Sequence, residues 1–579
     1  MKVNPLTVGP IVGEATPAYL RVLGRGKNVP GVGVMRLAKT PDFQEELIRF
    51  VPLDDDFDLT GIAIFSNLSP ETVYYYQYGW IETTIESTPC PLEWEEIKTY
   101  SVKILSINDT SPCSLIFGSC RYLLRKRGLI LNQEESNQFQ FKEKGDKTFQ
   151  AIVEDHVNKN TVNQVIMCGD QIYADDLNVF LAAGELDDFL LRYRVAFSQP
   201  YIQDLMARIP TFMMLDDHEI EDNWPENASR KDLHGKYIYA MNAYTAYQAN
   251  HSPLLPVENN KIQDYSNHYW YSYRDGCADF FVMDVRTERN LKQGKIISLE
   301  QMRALKTWLK DDSNRVKCVV SSVPLFPDAK DNNDKWGQFF KQRNELIDFI
   351  AGNKLKKVIF FSGDIHNSYT SILEGNGVKI IQIISSPFYW PLPIASGYPE
   401  DYNLCGSLEN NESYLITTPS KFIREHNFTR VDINPNGLQV SVYNQNKKLL
   451  DSNYFSFDFL DYQLNLNSLK IDYQTSSLCL DEYCLTVSVD NYHTQYIDLQ
   501  LSQDDIYSIN QSFCFNKTIT IKLFDKYNLS SEKCLGEYII TASNYDQEQD
   551  LLTCEFTEKN HKYTISYSLV KNDSISVKT

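Results

Sequence analysis

NQVIMCGDQIYAD (residues 163–175) is the stretch on which the fold turns. Its apolar run, 165–168, reads as a strand buried on both faces, as parallel strands are. A glycine then ends the strand, and Asp170 and Tyr173 follow it. Sheets of α/β proteins place their sites just past the carboxyl ends of such strands. Three further strings repeat the pattern: CSLIFGSCR (113–121), PTFMMLDDHEIEDNW (210–224) and KKVIFFSGDIH (356–366). Each is an apolar strand followed by a loop carrying acid, imidazole or thiol. Together they predict that Cys120, Asp170, Tyr173, Asp217, His218, Asp364 and His366 converge on one metal cluster. A metallohydrolase is the first reading.

Around these strings, residues 111–455 alternate apolar strands with helical periodicity. Helices are expected over 148–159, 189–197, 299–312 and 338–352, and further strands over 279–289, 317–326 and 378–387. The class is α/β. Residues 1–110 hold short alternating runs punctuated by Gly, Pro and Asp, which predicts a β-sandwich of fibronectin or immunoglobulin type. Residues 456–579 lack helical periodicity and predict a second β-sandwich. The 579 residues suffice for several domains, each with its own core.

The formal net charge of −20 excludes a general nucleic-acid binder, which needs a basic stripe. It does not exclude an anionic substrate, because a metal cluster supplies local positive charge. The 12 cysteines are scattered and include no CxxC pair, so buried free thiols are expected rather than a zinc knuckle. Neither an apolar leader nor a twin arginine opens the sequence, and no run of eighteen apolar residues occurs. The expectation is a soluble chain without a Sec or Tat signal, cytoplasmic or exported by another route.

Taken singly, the residues are ordinary. An Asp after a strand usually caps a turn, and a lone Cys in a strand is usually core. Four such strings in one α/β domain are hard to ascribe to chance. Asp170 is suited to bridge two ions, and bridged ions clamp a phosphate. Asp217 suits a ligand, and His218 beside it suits a contact to phosphate or leaving group. Asp364 and His366 flank Ile365, so at period two they share a face. Thiolate and phenolate favour ferric iron, which points Cys120 and Tyr173 to an iron position. The carboxylates Asp175, Asp216, Glu219, Glu221 and Asp222 suit a hard divalent ion such as calcium. Arg121 could pair with a substrate phosphate oxygen.

The strings GSCR, GDQIYAD, DDHEIEDNW and SGDIH resemble those of the PhoD-like alkaline phosphatases, a branch of the calcineurin-like metallophosphoesterases. Segments 10–26, 192–219 and 279–289 are similar to that family as well. The resemblance implies a four-layer αββα phosphatase core behind a fibronectin-like domain. It implies hydrolysis of phosphate esters by a metal-activated hydroxide, with ferric iron and calcium. Cys120, Asp170 and Tyr173 fall on the iron site, Asp217 and His218 on the Asn/Asp-His pair, and Gly363 to His366 on the closing Gly-x-x-His. The alternatives are a phosphodiesterase or phospholipase-type hydrolase acting at a membrane, and a catalytically silent metal-binding protein. Residues 508–540 are similar to the second half of a C2-type domain. Asp525 is kept there, but Tyr527 and Lys533 replace expected aspartates. A protein or membrane partner bound without calcium is the corresponding expectation.

Overall fold

The four strings all form strands, and their pairing explains their unbroken apolar character. In the computed structural model, Gln164–Cys168 lies between Cys113–Gly118 and Thr211–Met214 and runs parallel to both. Antiparallel strands Asn427–Asn434, Gly437–Asn444 and Leu449–Ser456 extend this sheet to six. Val358–Ser362 belongs to a second sheet of eight, in which Ala278–Val282, Val316–Val320, Val358–Ser362 and Val378–Ile384 follow one another in parallel. The structure describes residues 1–579 apart from 84–90, 124, 127–128, 131–145, 176–181, 227, 259–260, 263–267, 312–313, 331–333, 391–396, 458–461, 474–480, 490–493, 502–505, 516–517, 526–532, 542–550, 559–560 and 572–579.

Alternation along one strand shows why both of its faces must be apolar. Phe361 joins Phe117, Met167 and Val320 in one buried cluster shared by the two sheets, and the Phe117 and Phe361 rings meet edge-on at 5.2 Å. Phe360, one residue earlier, faces the other way. It packs in a second cluster with Met302, Leu305, Leu346 and Ile347. Those residues come from helices Leu299–Leu309 and Phe340–Gly352. Met302, Leu305 and Leu309 recur at helical spacing on the buried side, and Ser298 caps the start by accepting from the Gln301 N–H at 3.0 Å. The helix expected over 148–159 is α-helical only over Lys147–Ile152; Val153–Val157 continues it with a wider turn.

Residues before the first of these strands form two antiparallel sheets. One contains Val8–Ala15, Tyr19–Arg25 and Thr60–Ser66; the other is built on Gly31–Ala38 and Val73–Ile81. Val12, Val22, Met35 and Tyr76 fill a common cluster. This unit is tied to the α/β part by buried polar bonds. The Tyr76 hydroxyl donates to the Ala207 carbonyl at 2.6 Å, and the Glu14 N–H donates to the His251 carbonyl at 2.8 Å. Gly13 makes the second tie possible, because any Cβ there would collide with the His251 carbonyl.

The final residues form two antiparallel sheets of four strands, among them Tyr462–Tyr473, Asp481–Val489, Thr518–Asp525 and Lys533–Thr541. Leu466, Leu485, Ile521 and Ile565 share one cluster, which also takes in Cys405, next to the edge strand Gly406–Leu408 of the eight-stranded sheet. Tyr527 lies outside the described residues, and Lys533 begins a strand. Cys168 and Cys318 are buried free thiols. Among the described residues no helix is long and apolar enough to cross a membrane.

Candidate metal centre and active site

The loops after the four strands meet. The Cys120 N–H donates to the Gly169 carbonyl at 3.3 Å and the Arg121 N–H to the Asp170 carbonyl at 2.9 Å. Gly169 sits at φ +87°, and a Cβ there would strike the Asp216 side chain; a Cβ on Gly363 would strike Ser119. The approach of the four strand ends, in two pairs, therefore depends on these two missing side chains. Cys120 (φ 58°), Asp170 (φ 56°), Asp364 (φ 68°) and His366 (φ 54°) all adopt left-handed backbone. Non-glycine residues in that region carry strain that clusters at functional sites.

Three overlapping donor groups result: Cys120, Asp170 and His366; Asp170, Asp217 and His218; Asp216, Asp217 and Asp364, with the donor atoms in each within 4.8 Å of one another. Asp170 belongs to two of them. Its Oδ2 accepts from the Cys120 thiol at 3.3 Å and from the Tyr173 hydroxyl at 3.2 Å. All seven residues singled out from the strings thus lie at one place. The period-two reading of Asp364 and His366 needs correction. The strand ends at Ser362, both residues take left-handed turns beyond it, and they enter different donor groups.

Burial sets the protonation of the centre. It pushes the Asp170 carboxyl well above the carboxylate range, opposed by His218 and reinforced by Asp217 and Asp216. Burial first, then the Asp170 charge, raises the Cys120 thiol and the Tyr173 phenol. Asp216 is pushed up to about 8 by burial, against the pull of Arg286. For His218 burial works downward, but Asp217, Asp175 and Asp170 outweigh it and hold the imidazole well above its ordinary value. Asp170 Oδ1 and Asp216 Oδ2 are buried and have no hydrogen-bond donor among the described residues. Buried carboxylates, a thiol and a phenol so arranged release their protons when a cation takes their place. Carboxylate, imidazole, thiolate and phenolate together form a donor set that fits a transition-metal ion beside a harder one.

Several acids have other duties than the ligation expected of them. Glu219 is a brace: its carboxylate accepts from the N–H groups of Asp170 at 3.1 Å, Gln171 at 2.7 Å and Asp216 at 2.9 Å. Glu221 pairs with Lys236 at 2.8 Å. Asp175 accepts from the Asp222 N–H at 2.8 Å and holds His218 Nδ1 at 2.8 Å. Arg121 is engaged as well. Its guanidinium grips Asp146 through two bonds of 2.6 and 2.5 Å, and both side chains are fully buried.

The residues that sequence reasoning missed come from outside the four strings. Arg286, fully buried, pairs with Asp216 and, at 2.5 Å, with Asp334; its remaining nitrogen lies 3.4 Å from Asp217 and 3.8 Å from Asp364. Lys335 Nζ lies 3.5 Å from Asp364 Oδ2. Trp390 stacks on His366 with ring centroids 3.9 Å apart, and Tyr173 lies over His218 at 4.2 Å. The DVRTER segment containing Arg286 carries a family likeness, but nothing in its spacing marks Arg286 as the counter-ion of Asp216.

A family profile for PhoD-like phosphatases matches residues 140–441, a little over half of the chain. Alkaline phosphatase D of Bacillus subtilis (strain 168) is 25% identical over 284 residues, 42% of this chain and 48% of that protein. The chain thus aligns with about half the length of this curated relative. A solved structure of PhoD matches with a TM-score of 0.59 and 15% identity over 79% of this chain and 91% of its own. The purple acid phosphatase PPD1 from yellow lupin (Lupinus luteus) seeds matches at 0.50 and 14% over 78% and 74%. These two likenesses concern the mixed α/β, strand-rich fold. On the match to its profile, the chain belongs to the PhoD-like phosphatase family.

Proposed function

We propose that the chain is a metal-dependent phosphoric ester hydrolase. The observation that carries this reading is the convergence of buried acid, imidazole, thiol and phenol donors on Asp170 at the ends of four strands. Family membership supports it. In this reading residues 111–455 are the four-layer αββα catalytic core, 1–110 a fibronectin-like sandwich, and 456–579 a sandwich that serves a protein partner.

Cys120, Asp170, Tyr173 and His366 would hold ferric iron, and Asp170, Asp217 and Asp364 would hold calcium. Such cations, when bound, withdraw charge from a phosphoryl group and acidify water. The chain's own residues do the rest. Asp175 fixes His218 Nδ1, and Nε2, which lies 3.8 Å from the exposed carboxylate of Asp222, would pass a proton to the departing oxygen of the ester. Arg286 holds Asp216 and faces Asp217 and Asp364, keeping like charges together. Glu219 ties the Asp170 and Asp216 loops to each other. Burial of the cluster strengthens every charge interaction inside it.

Elemental analysis of the purified protein, with turnover of an aryl phosphate, tests the proposal. Iron with calcium and measurable turnover are expected. Zinc alone would overturn the ion assignment, and metal-loaded protein without turnover would overturn the hydrolase.

A further inference from the structure

Resting on the hydrolase reading, we propose that Lys335 contacts the phosphoryl group of the substrate and gives the site a preference for dianionic monoesters over monoanionic diesters.

The cations around the carboxylates are not equivalent. Arg286 and Arg289 have side chains at most 1% exposed, and both are committed to Asp334, Arg286 to Asp216 as well. Lys335 differs on each count. Its side chain is 20% exposed, and the ion pair it makes is a loose one, 3.5 Å from Asp364 Oδ2. Asp364 is itself 15% exposed and turns its other oxygen toward Arg286. Lys335 and Asp364 thus stand where solvent reaches the cluster.

The backbone at Lys335 is held from both sides. Asp334, at φ 72°, is clamped by Arg286 and Arg289. Trp336 is fully buried, and its indole N–H donates to Ser321 Oγ at 3.1 Å. A lysine between two fixed residues delivers its ammonium to a defined place while the stem stays adjustable.

Charge then selects the ligand. Asp364 shares a donor group with Asp216 and Asp217. A cation held there takes up the negative charge that Lys335 now faces, and ammonium and cation then repel each other. An anion between them relieves that repulsion. A monoester brings two negative charges and three unesterified oxygens, whereas a diester brings one charge and two such oxygens. An extra cation beyond the metals therefore favours the monoester. Lysine suits this task as a point charge with three rotatable donors.

The test uses the full-length, metal-loaded protein and its Lys335→Gln and Lys335→Arg variants. Measured are kcat/KM for an aryl phosphate monoester and for an aryl methyl diester, binding of inorganic phosphate by calorimetry, and metal content. Loss of a charge-assisted contact should lower monoester kcat/KM on the order of 10–100-fold in Lys335→Gln, and weaken phosphate binding comparably. The diester should lose less than about threefold, metal content should hold, and Lys335→Arg should recover part of the loss. Equal losses on both esters with unchanged phosphate binding would overturn the proposal, as would loss of metal. If wild type turns over neither ester, the hydrolase reading fails. Phosphate binding by wild type and Lys335→Gln then decides whether Lys335 contacts the anion.

Discussion

Acid should loosen the junction between the N-terminal sheets and the α/β part through one buried imidazole. His251 is fully buried; its Nε2–H donates to the Tyr247 carbonyl at 3.1 Å, and its Nδ1 has no donor among the described residues. Burial, aided by the charge of Arg21, holds its pKa down to about 4. The unfolded value is about 6.5, so the unfolded chain takes up the proton first as pH falls. For a depressed folded pKa the stabilisation is complete above about 6.5 and is lost as pH drops toward 4. The full shift corresponds to about 3 kcal/mol, of which about 2 kcal/mol is gone by about pH 5. The acids of the metal centre also change their proton uptake on unfolding, so the effect must be isolated by difference. Wild type and His251→Gln, both metal-loaded, would be unfolded in urea at about pH 7.5 and 5. Wild type should lose about 2 kcal/mol relative to the variant over that interval. A gap between the two that stays constant within about 0.5 kcal/mol would refute the assignment, because a neutral buried imidazole cannot be pH-silent in this range.

Asp170→Asn should abolish turnover while leaving the fold near intact, since the strand before Asp170 is anchored by Val165, Ile166 and Met167; near-normal kcat would remove Asp170 from the centre. His218→Ala should retain metal and lose roughly 10²–10⁴-fold in kcat, as removal of a general acid does, and loss of iron on elemental analysis would make the histidine a ligand instead. Iron bound by Cys120 and Tyr173 should colour concentrated protein, so a colourless, iron-free and fully active preparation would refute that ligation. Truncation near residue 457, past the strand Leu449–Ser456 and the core residue Phe457, should leave activity on a small soluble ester, because every donor residue of the centre lies before it; inactivity of a folded truncation would show that the unit supports the site.

The strand ends were legible because burial on two faces writes itself into the sequence. Phe360 and Phe361 must both be apolar, one for the helices and one for the facing sheet. Residues that serve the site through long-range pairing left no such mark. Glu219 looks like one acid among several in DDHEIED, and only the meeting of two loops turns it into a brace. Arg121 sits beside Cys120 and invites a role at the substrate; its pairing with Asp146 through Nε and Nη2 is not written in the sequence. The left-handed turns at Asp364 and His366 are equally hidden, because neither residue type demands that backbone.

The brace carries a consequence for how the centre fills. Asp170 and Asp216 stand on separate loops, yet both backbones hang from the same carboxylate oxygen, Glu219 Oε2. Asp170 is also common to two donor groups. Ordering one loop around a first ion therefore prepares the other for a second, and linkage makes the favour mutual. Titration with metal should pass from empty to doubly loaded with little singly loaded protein between. Shortening the brace by one methylene, Glu219→Asp, should split that single transition into two.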